Sequence, residues 1–187
     1  ITSTRDCGLF KTIEGAYIDG LIIDNINITG DLNSLSCTAG LAGEVYNSYI
    51  SNIHITGEIK NGNHAGGIVG VLNNSALVNS SFKGKVTGKQ YVGGLVGETY
   101  SNIVKGASHI ATIENCYALC DISSELERNT SASIGGLVGT TRDTFITGSY
   151  YCGEIIGKEK DYVLPLIGSY SGKYRLTHVY YVGNLTL

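Results

Sequence analysis

The sequence of this 187-residue chain predicts an all-β protein, built as a parallel β-helix (β-solenoid) of about six coils with a repeat of roughly 27–36 residues. Three observations predict it. A glycine-bracketed apolar step recurs along the whole chain, and a strand-like segment follows most copies at a fixed distance. No stretch of a dozen residues shows a sustained helical period. Because two short strands cannot bury an apolar face alone, the repeats must stack on one another.

The glycine step is written in full as Gly-Leu-Val-Gly at Gly94–Gly97 and again at Gly136–Gly139. Glycine turns a chain sharply without a steric penalty, so we expect each copy to mark a corner or a close approach of neighbouring coils. The apolar marker after the first glycine recurs at spacings of 32, 27, 27, 42 and 29 residues, at Leu9, Leu41, Ile68, Leu95, Leu137 and Leu166. The positions assigned to this structural repeat are Gly8, Leu9, Gly40, Leu41, Gly43, Gly67, Ile68, Gly70, Gly94, Leu95, Gly97, Gly136, Leu137, Gly139 and Gly168.

The second recurring segment begins nine residues beyond most markers. It reads aliphatic, any, Asn or a small substitute, any, any, apolar or aromatic, any, Gly, polar, aliphatic. Five copies fit this template: Ile50–Ile59, Leu77–Val86, Ile113–Ile122, Ile146–Ile155 and Leu176–Leu185. Apolar and polar residues alternate within them, as in a half-buried strand.

The first repeat leaves two alignments open. Ile23–Leu32 fits the template best, whereas Ile18 keeps the nine-residue spacing from its marker. An insertion of about five residues in this repeat would reconcile the two. A β-propeller is the main alternative fold, but its blades repeat every ~40–45 residues. The recurring 27-residue spacing is too short for such blades.

Gly-Gly-Leu-Val-Gly followed by Ile-x-Asn-x-Tyr resembles the GLUG repeat of secreted bacterial surface proteins. These include adhesins and the non-catalytic upstream regions of immunoglobulin-A1-specific metallo-endopeptidases. The residues that carry the resemblance are Gly66–Gly70 with Leu77 and Asn79, Gly93–Gly97 with Ile113 and Asn115, and Gly135–Gly139 with Ile146 and Tyr150. The pattern departs at an insertion, Tyr100–Ser108, and at Pro165-Leu-Ile-Gly168. The resemblance implies a β-helix-like fold and an extracellular setting, secreted or attached to the cell wall. It transfers no catalytic residue.

Composition narrows the class of protein. Residues 1–187 are expected to form one β-solenoid domain, and the absence of Met predicts a fragment of a larger secreted protein. A net charge of −3 with scattered Lys and Arg disfavours a nucleic-acid partner, which would require a basic stripe. No apolar run approaches the ~20 residues that a membrane span requires.

The five cysteines do not form a disulfide framework. Cys116 and Cys120 would lie ~13 Å apart along one strand, whereas a disulfide requires Cα atoms within ~7 Å. We therefore expect both to be buried free thiols. Pairing of Cys152 with Cys120 on the next coil is a weaker alternative, because adjacent template positions point to opposite faces.

Signals for catalysis or metal binding are sparse in the sequence. It contains neither His-Glu-x-x-His nor Gly-x-Ser-x-Gly. We therefore predict no catalytic residue, no metal ligand set and no cofactor. The active site of any parent metallopeptidase would lie outside this chain.

One polar template position forms a vertical row when the repeats are stacked. We expect the row on the outer face, where its carboxylates would bind a cation such as Ca²⁺, act as acid and base on a polysaccharide, or form a solvated edge. Lys85 within the row favours the solvated edge, since it relieves repulsion between carboxylates. The row consists of Asp31, Glu58, Lys85, Asp121, Glu154 and Asn184.

Tyrosines form a second column. Tyr117, Tyr150 and Tyr180 share one template position, and Tyr151 and Tyr181 share the next. Such columns serve packing, or, where they face outward, they make an aromatic strip that suits a glycan or a protein partner. With Asp121 and Glu154, the first three tyrosines are the candidate binding surface.

Two functions follow from these observations. The favoured one is a non-catalytic extracellular module that serves as a spacer, adhesion or substrate-presentation domain of a bacterial cell-surface or secreted protein, with immunoglobulin-A1-specific metallopeptidases among the candidate parents. Its partner would be a host or cell-surface protein or glycan. The alternative is a carbohydrate-active β-helix enzyme of the lyase or glycosidase type. That alternative requires carboxylates beside an inserted loop, and Tyr100–Ser108 contains no Asp or Glu.

Overall fold

The computed structural model describes residues 1–3, 5–31, 36–101, 110–125 and 131–187. All regular secondary structure in these residues is β, with no helix, as the sequence predicts. The strands run parallel and stack as a β-solenoid. The solenoid has about five turns, close to the predicted six, and five strands form its narrow sheet.

Nineteen strands lie in the described residues. They are β1 Phe10–Glu14, β2 Tyr17–Thr29, β3 Cys37–Ala39, β4 Ala42–Tyr46, β5 Tyr49–Lys60, β6 His64–Gly66, β7 Val69–Asn73, β8 Ala76–Val78, β9 Ser81–Gly88, β10 Tyr91–Gly93, β11 Val96–Tyr100, β12 Ala111–Glu114, β13 Tyr117–Ser124, β14 Ser133–Gly135, β15 Val138–Thr147, β16 Tyr150–Ile156, β17 Tyr162–Leu164, β18 Ile167–Thr177 and β19 Tyr180–Thr186. The narrow sheet has the order β17-β14-β10-β6-β3, and the other fourteen strands form one wide sheet around the coil.

The core runs through the stack as columns of like residues in register. Ile50, Leu77, Ile113 and Ile146 form one column and are at most 1% exposed. Leu41, Ile68, Leu95 and Leu137, the markers of the glycine step, are fully buried. Fully burying one such side chain contributes about 1.5–3 kcal/mol, so the recurring aliphatic positions explain why the coils stay stacked.

In the first repeat the strand pairing follows the alignment from Ile18 at first and then shifts by one residue. Ile18 pairs with Ile50, so the template segment begins at Ile18, and the alignment from Ile23 is wrong. The expected insertion of about five residues is also wrong. Between Ile23 and Ile26 the register slips by one residue, and Asn25 adopts a left-handed φ of 56° in that bulge. The Asn25 N–H donates to Thr56 Oγ1 at 2.8 Å, which anchors the extra residue to the next coil.

Candidate functional site

The glycine step forms a tight turn between the narrow sheet and the wide sheet. Gly93 ends β10, Gly94 and Leu95 make the bend, and Val96 begins β11. A Cβ added at Gly93 would overlap the Val96 carbonyl oxygen, and one at Gly97 would lie 2.7 Å from the Gly70 carbonyl oxygen. Neighbouring backbone fills the space that a side chain would need, so the turn requires glycine on steric grounds.

A second kind of corner lies at the Asn position of the template. Six residues in register there have φ between 48° and 73°: Gly20, Asn52, Asn79, Asn115, Gly148 and His178. A similar corner follows β1, β4, β7 and the middle of β15 and β18, at Gly15, Asn47, Asn74, Asp143 and Gly172. Glycine and Asn are the residues that adopt the left-handed region most readily, which explains this template position.

A ladder of buried side-chain hydrogen bonds follows the first of these corners. The backbone N–H of Ile53 donates to Ser80 Oγ at 3.0 Å, that of Ser80 to Cys116 Sγ at 3.4 Å, and that of Cys116 to Ser149 Oγ at 3.1 Å. Cys116 Sγ in turn lies 3.1 Å from the Glu114 carbonyl oxygen, to which it donates. Cys116 therefore accepts and donates hydrogen bonds at a position that serine occupies on the neighbouring coils, at Ser80 and Ser149. Its position in the sequence template had indicated only a small apolar residue.

All five cysteines are free, and Cys116 and Cys120 are buried, which confirms the expectation for these two. Burial raises the pKa of Cys116 to about 12. Cys152 pairs in register with Leu119, one position away from Cys120. The alternative disulfide between Cys120 and Cys152 is therefore not formed.

A Cys-His-Glu group that the sequence reasoning missed lies between the narrow sheet and β11. His64 Nδ1 is 3.8 Å from Cys37 Sγ, and His64 Nε2 is 2.8 Å from Glu98 Oε2. Burial raises the pKa of Cys37 well above its ordinary value, so its thiol stays protonated and is a poor nucleophile. The 27-residue interval between Cys37 and His64 was the available signal, because it equals the repeat. Among the residues that the structure describes, no three His, Cys, Asp or Glu side chains are arranged to hold a metal ion.

The polar row differs from the predicted one at its first member. Asn27 pairs with Glu58, so Asn27 occupies the row and the placement of Asp31 there is wrong, because the first template segment begins at Ile18. The row then continues on the outer face through Glu58, Lys85, Asp121, Glu154 and Asn184. Glu58 forms an ion pair with Lys60 at 2.9 Å, and Asp121 Oδ1 accepts a hydrogen bond from the Glu154 N–H at 3.2 Å. These contacts suit a solvated edge.

The column of Tyr117, Tyr150 and Tyr180, here called the tyrosine strip, faces outward. The rings of Tyr117 and Tyr150 stack with centroids 5.1 Å apart and planes 8° apart. Tyr150 is 41% exposed and Tyr180 63%. In the next column Tyr151 is buried, and its hydroxyl donates to the Cys120 carbonyl oxygen at 3.1 Å. The strip is an apolar surface with polar hydroxyl groups, which suits contact with another molecule.

A groove lies on the side of the solenoid formed by the short strands β8 and β12. It is open to solvent, has a volume of about 700 Å³ and lies beside a second stacked pair, Tyr17 and Tyr49, whose ring centroids are 5.4 Å apart. Phe145 stands at its other end. The groove is lined by Gly15, Ala16, Tyr17, Asn47, Ser48, Tyr49, Asn74, Ser75, Ala76, Ile110, Thr112 and Phe145. The groove was not predicted from the sequence, because its residues come from five repeats.

The predicted insertion Tyr100–Ser108 lies, beyond Ser101, outside the described residues. Within the described part of the chain, no helix has the length and apolar character needed to cross a membrane. Comparison with protein-family models gives no match. Comparison with curated protein sequences gives no significant match either. The resemblance to the GLUG repeat therefore stays a prediction.

Proposed function

We propose that this chain is a non-catalytic extracellular module, secreted or attached to a bacterial cell wall, that adheres to a host or cell-surface protein or glycan through the tyrosine strip. The β-solenoid spaces and presents that strip. The parent protein would be a surface adhesin or a secreted peptidase, such as an immunoglobulin-A1-specific metallopeptidase.

The observation that carries this proposal is the outward stack of Tyr117 and Tyr150, extended by the exposed Tyr180. Exposed aromatic rings that share one side of a protein are typical of contact surfaces, where they bury a large area at low conformational cost. Adjacent strands pair in parallel beneath the strip, from β13 to β16 to β19, so the strip has a fixed spacing.

The enzyme alternative keeps one observation in its favour. Asp121 and Glu154 occupy neighbouring positions of the polar row, a separation suited to paired carboxylates. However, the row stands on an exposed strand face, and Asp121 already accepts the Glu154 N–H. A glycosidase or lyase requires its carboxylates in a groove that surrounds the sugar, so the module is the better supported function.

The proposal is tested by measuring how fluorescently labelled chain binds to epithelial cells and to immobilised immunoglobulin A1. Replacing both Tyr150 and Tyr180 by Ala is expected to lower the binding at least tenfold. Tyr162→Ala is the matched control, because Tyr162 is 62% exposed on the narrow sheet, away from the strip. Equal loss in the control would contradict a role for the strip.

The same preparations are assayed for turnover of neutral and uronate polysaccharides. No turnover is expected. Turnover that Asp121→Asn abolishes would replace the module by the enzyme alternative.

A further inference from the structure

The groove interrupts a column of aromatic rings. One register position of the solenoid holds, on successive coils, Tyr17, Tyr49, Ala76, Thr112, Phe145 and Arg175. Tyr17 and Tyr49 stack on each other with planes 2° apart, whereas Ala76 and Thr112 place no ring above Tyr49. At a strand spacing of ~4.8 Å, the coils of Tyr49 and Phe145 lie ~14 Å apart. The gap therefore has room for ring-shaped groups between two aromatic side chains.

The walls of the gap offer hydrogen-bonding groups. Asn47, at the left-handed corner beside Tyr49, is exposed, and its Oδ1 accepts a hydrogen bond from Asn74 Nδ2 at 3.4 Å. A side-chain amide also has two N–H donors, so Asn47 can donate to a ligand while it keeps this bond. The Tyr49 phenol and the Thr112 hydroxyl lie along the same groove; the Thr112 hydroxyl donates to the Ile110 carbonyl oxygen at 3.1 Å and can still accept a hydrogen bond from a ligand. Flat aromatic faces beside amides and hydroxyls match the alternating apolar faces and hydroxyl edges of a sugar.

The charge of the lining selects among ligands. The described residues that line the groove include no Asp, Glu, Lys, Arg or His, and the nearest cation of the same column, Arg175, lies one coil beyond Phe145. A phosphorylated, sulfated or uronate ligand over Ala76 would lose hydration without gaining a counter-charge from the described lining. The volume of about 700 Å³ falls within the range of sites that hold small ligands.

We propose that the groove between Tyr49 and Phe145 binds a neutral oligosaccharide, one sugar ring of which stacks on Tyr49 over Ala76. The inference rests on the proposed function, since a non-catalytic module acts by binding, but it concerns a site separate from the tyrosine strip. A proline-rich peptide is the competing occupant, because such peptides also dock in aromatic-lined grooves. The sugar is favoured because the exposed Asn47 amide and the hydroxyls of Tyr49 and Thr112 lie along the groove, whereas the buried Ser48 and Ser75 hydroxyls are held by the backbone of the corner.

The experiment titrates the full chain with cellotetraose, maltotetraose and tri-N-acetylchitotriose, followed by amide NMR shifts and calorimetry. Tetragalacturonate and a polyproline peptide serve as the charged and the peptide probes. Saturable binding of at least one neutral oligosaccharide is expected, with shifts at Tyr49, Ala76 and Thr112. Tyr49→Ala should weaken it about tenfold, the size expected for one lost stacking contact.

Two variants provide the controls. Thr112→Phe places a ring in the gap at an outward strand position that accepts aromatic residues, so it should abolish binding while the unfolding midpoint is kept. Tyr150→Ala removes a ring of the same 41% exposure from the strip and should leave oligosaccharide affinity unchanged.

The proposal is overturned if no neutral oligosaccharide binds, if Thr112→Phe binds as tightly as the unaltered chain, or if tetragalacturonate or polyproline binds in the groove instead. These outcomes are separate from those of the adhesion assay. If the variant with Ala at Tyr150 and Tyr180 loses cell binding but keeps oligosaccharide binding, both proposals are supported. If the variant binds cells as well as the unaltered chain does, only the proposed role of the tyrosine strip is contradicted.

Discussion

The glycine turn at Gly93–Gly97 and the asparagine corner at Asn79 bend the same coil for different physical reasons. At the turn, carbonyl oxygens of neighbouring chain occupy the space where a Cβ would be, while the φ angles of Gly93, Gly94 and Gly97 are not positive. At the corner, Asn79 is exposed, and the requirement is a φ of 48°. The first constraint is one of volume, and the second is one of backbone conformation.

The difference explains how each bend is written in the sequence. Only glycine lacks a Cβ, so the turn recurs as a nearly fixed motif. Several residues reach the left-handed region at modest cost, so the corner column holds Gly, Asn and His at Gly20, Asn79 and His178. A steric requirement leaves a clear sequence signal, and a conformational one leaves a weak signal.

The largest expected effect comes from a methyl group in the glycine turn. Gly93→Ala should lower the free energy of unfolding by about 3 kcal/mol or more, because its Cβ would overlap the Val96 carbonyl oxygen. Gly15→Ala is the matched control, since Gly15 has a φ of 59° and nothing within 4 Å of an added Cβ. It should cost only about 1–2 kcal/mol. Urea unfolding measures both, and equal losses would remove the distinction between the two bends.

The second prediction concerns how stability depends on pH through the thiol of Cys116, which lies in the ladder of buried hydrogen bonds after the asparagine corner. Burial raises the pKa of Cys116 from 9.0 to about 12, so folding favours its protonated form. The contribution of this protonated thiol to the free energy of unfolding is complete below pH 9. It is lost as the pH rises toward 12, at up to about 1.4 kcal/mol per pH unit. Unfolding midpoints at pH 8, 9.5 and 11 measure this loss. Cys116→Ser should make the decline shallower, and an unchanged decline would mean that Cys116 is not its source.

Removing the sulfur altogether has the next largest effect. Cys116→Ala leaves the buried Ser80 N–H without its acceptor and should cost about 1–3 kcal/mol at pH 7. Cys116→Ser restores an acceptor of the kind that Ser80 and Ser149 already supply, so its stability should stay within about 1 kcal/mol of the original. If Ala and Ser behave alike in thermal unfolding, the ladder contributes nothing.

The smallest effect is expected at the exposed corner. Asn79→Ala should cost about 1 kcal/mol, because Ala adopts the left-handed φ of 48° less readily than Asn. Asn79→Gly should change stability by less than about 0.5 kcal/mol. Differential scanning calorimetry resolves the pair, and a large loss for Gly would show that the Asn side chain itself is needed.

Much of the fold could be predicted because its strongest constraints act on residue type. The parallel stack and the buried Leu95 column follow from period and alternation, and so does the Tyr150 column, although its outward orientation could not be decided from the sequence. The bulge at Asn25 could not be predicted, because Ile23–Leu32 imitates the template and only pairing with the next coil distinguishes the register. The hydrogen-bonding role of Cys116 is likewise visible only in its ladder.

The candidate sites were predictable to a smaller extent. The tyrosine strip recurs at one template position, so its column can be recognised from the sequence of this chain alone. The groove could not be predicted from the sequence. It exists because Ala76 and Thr112 place no aromatic ring between Tyr49 and Phe145 in one register column. Such a gap between aromatic side chains can be recognised only when the register of all the coils is known.

Register is thus the claim on which the account depends, and spin-label distances test it most directly. Cysteines for labelling are placed in the polar row on a Cys152→Ser background, where the remaining native thiols are buried. Asn27 and Asn184 lie five coils apart, and Lys85 and Asn184 lie three apart. Double electron–electron resonance should give backbone separations of ~24 Å and ~14 Å, respectively. Separations that do not grow by a constant step per coil would contradict the stacked register.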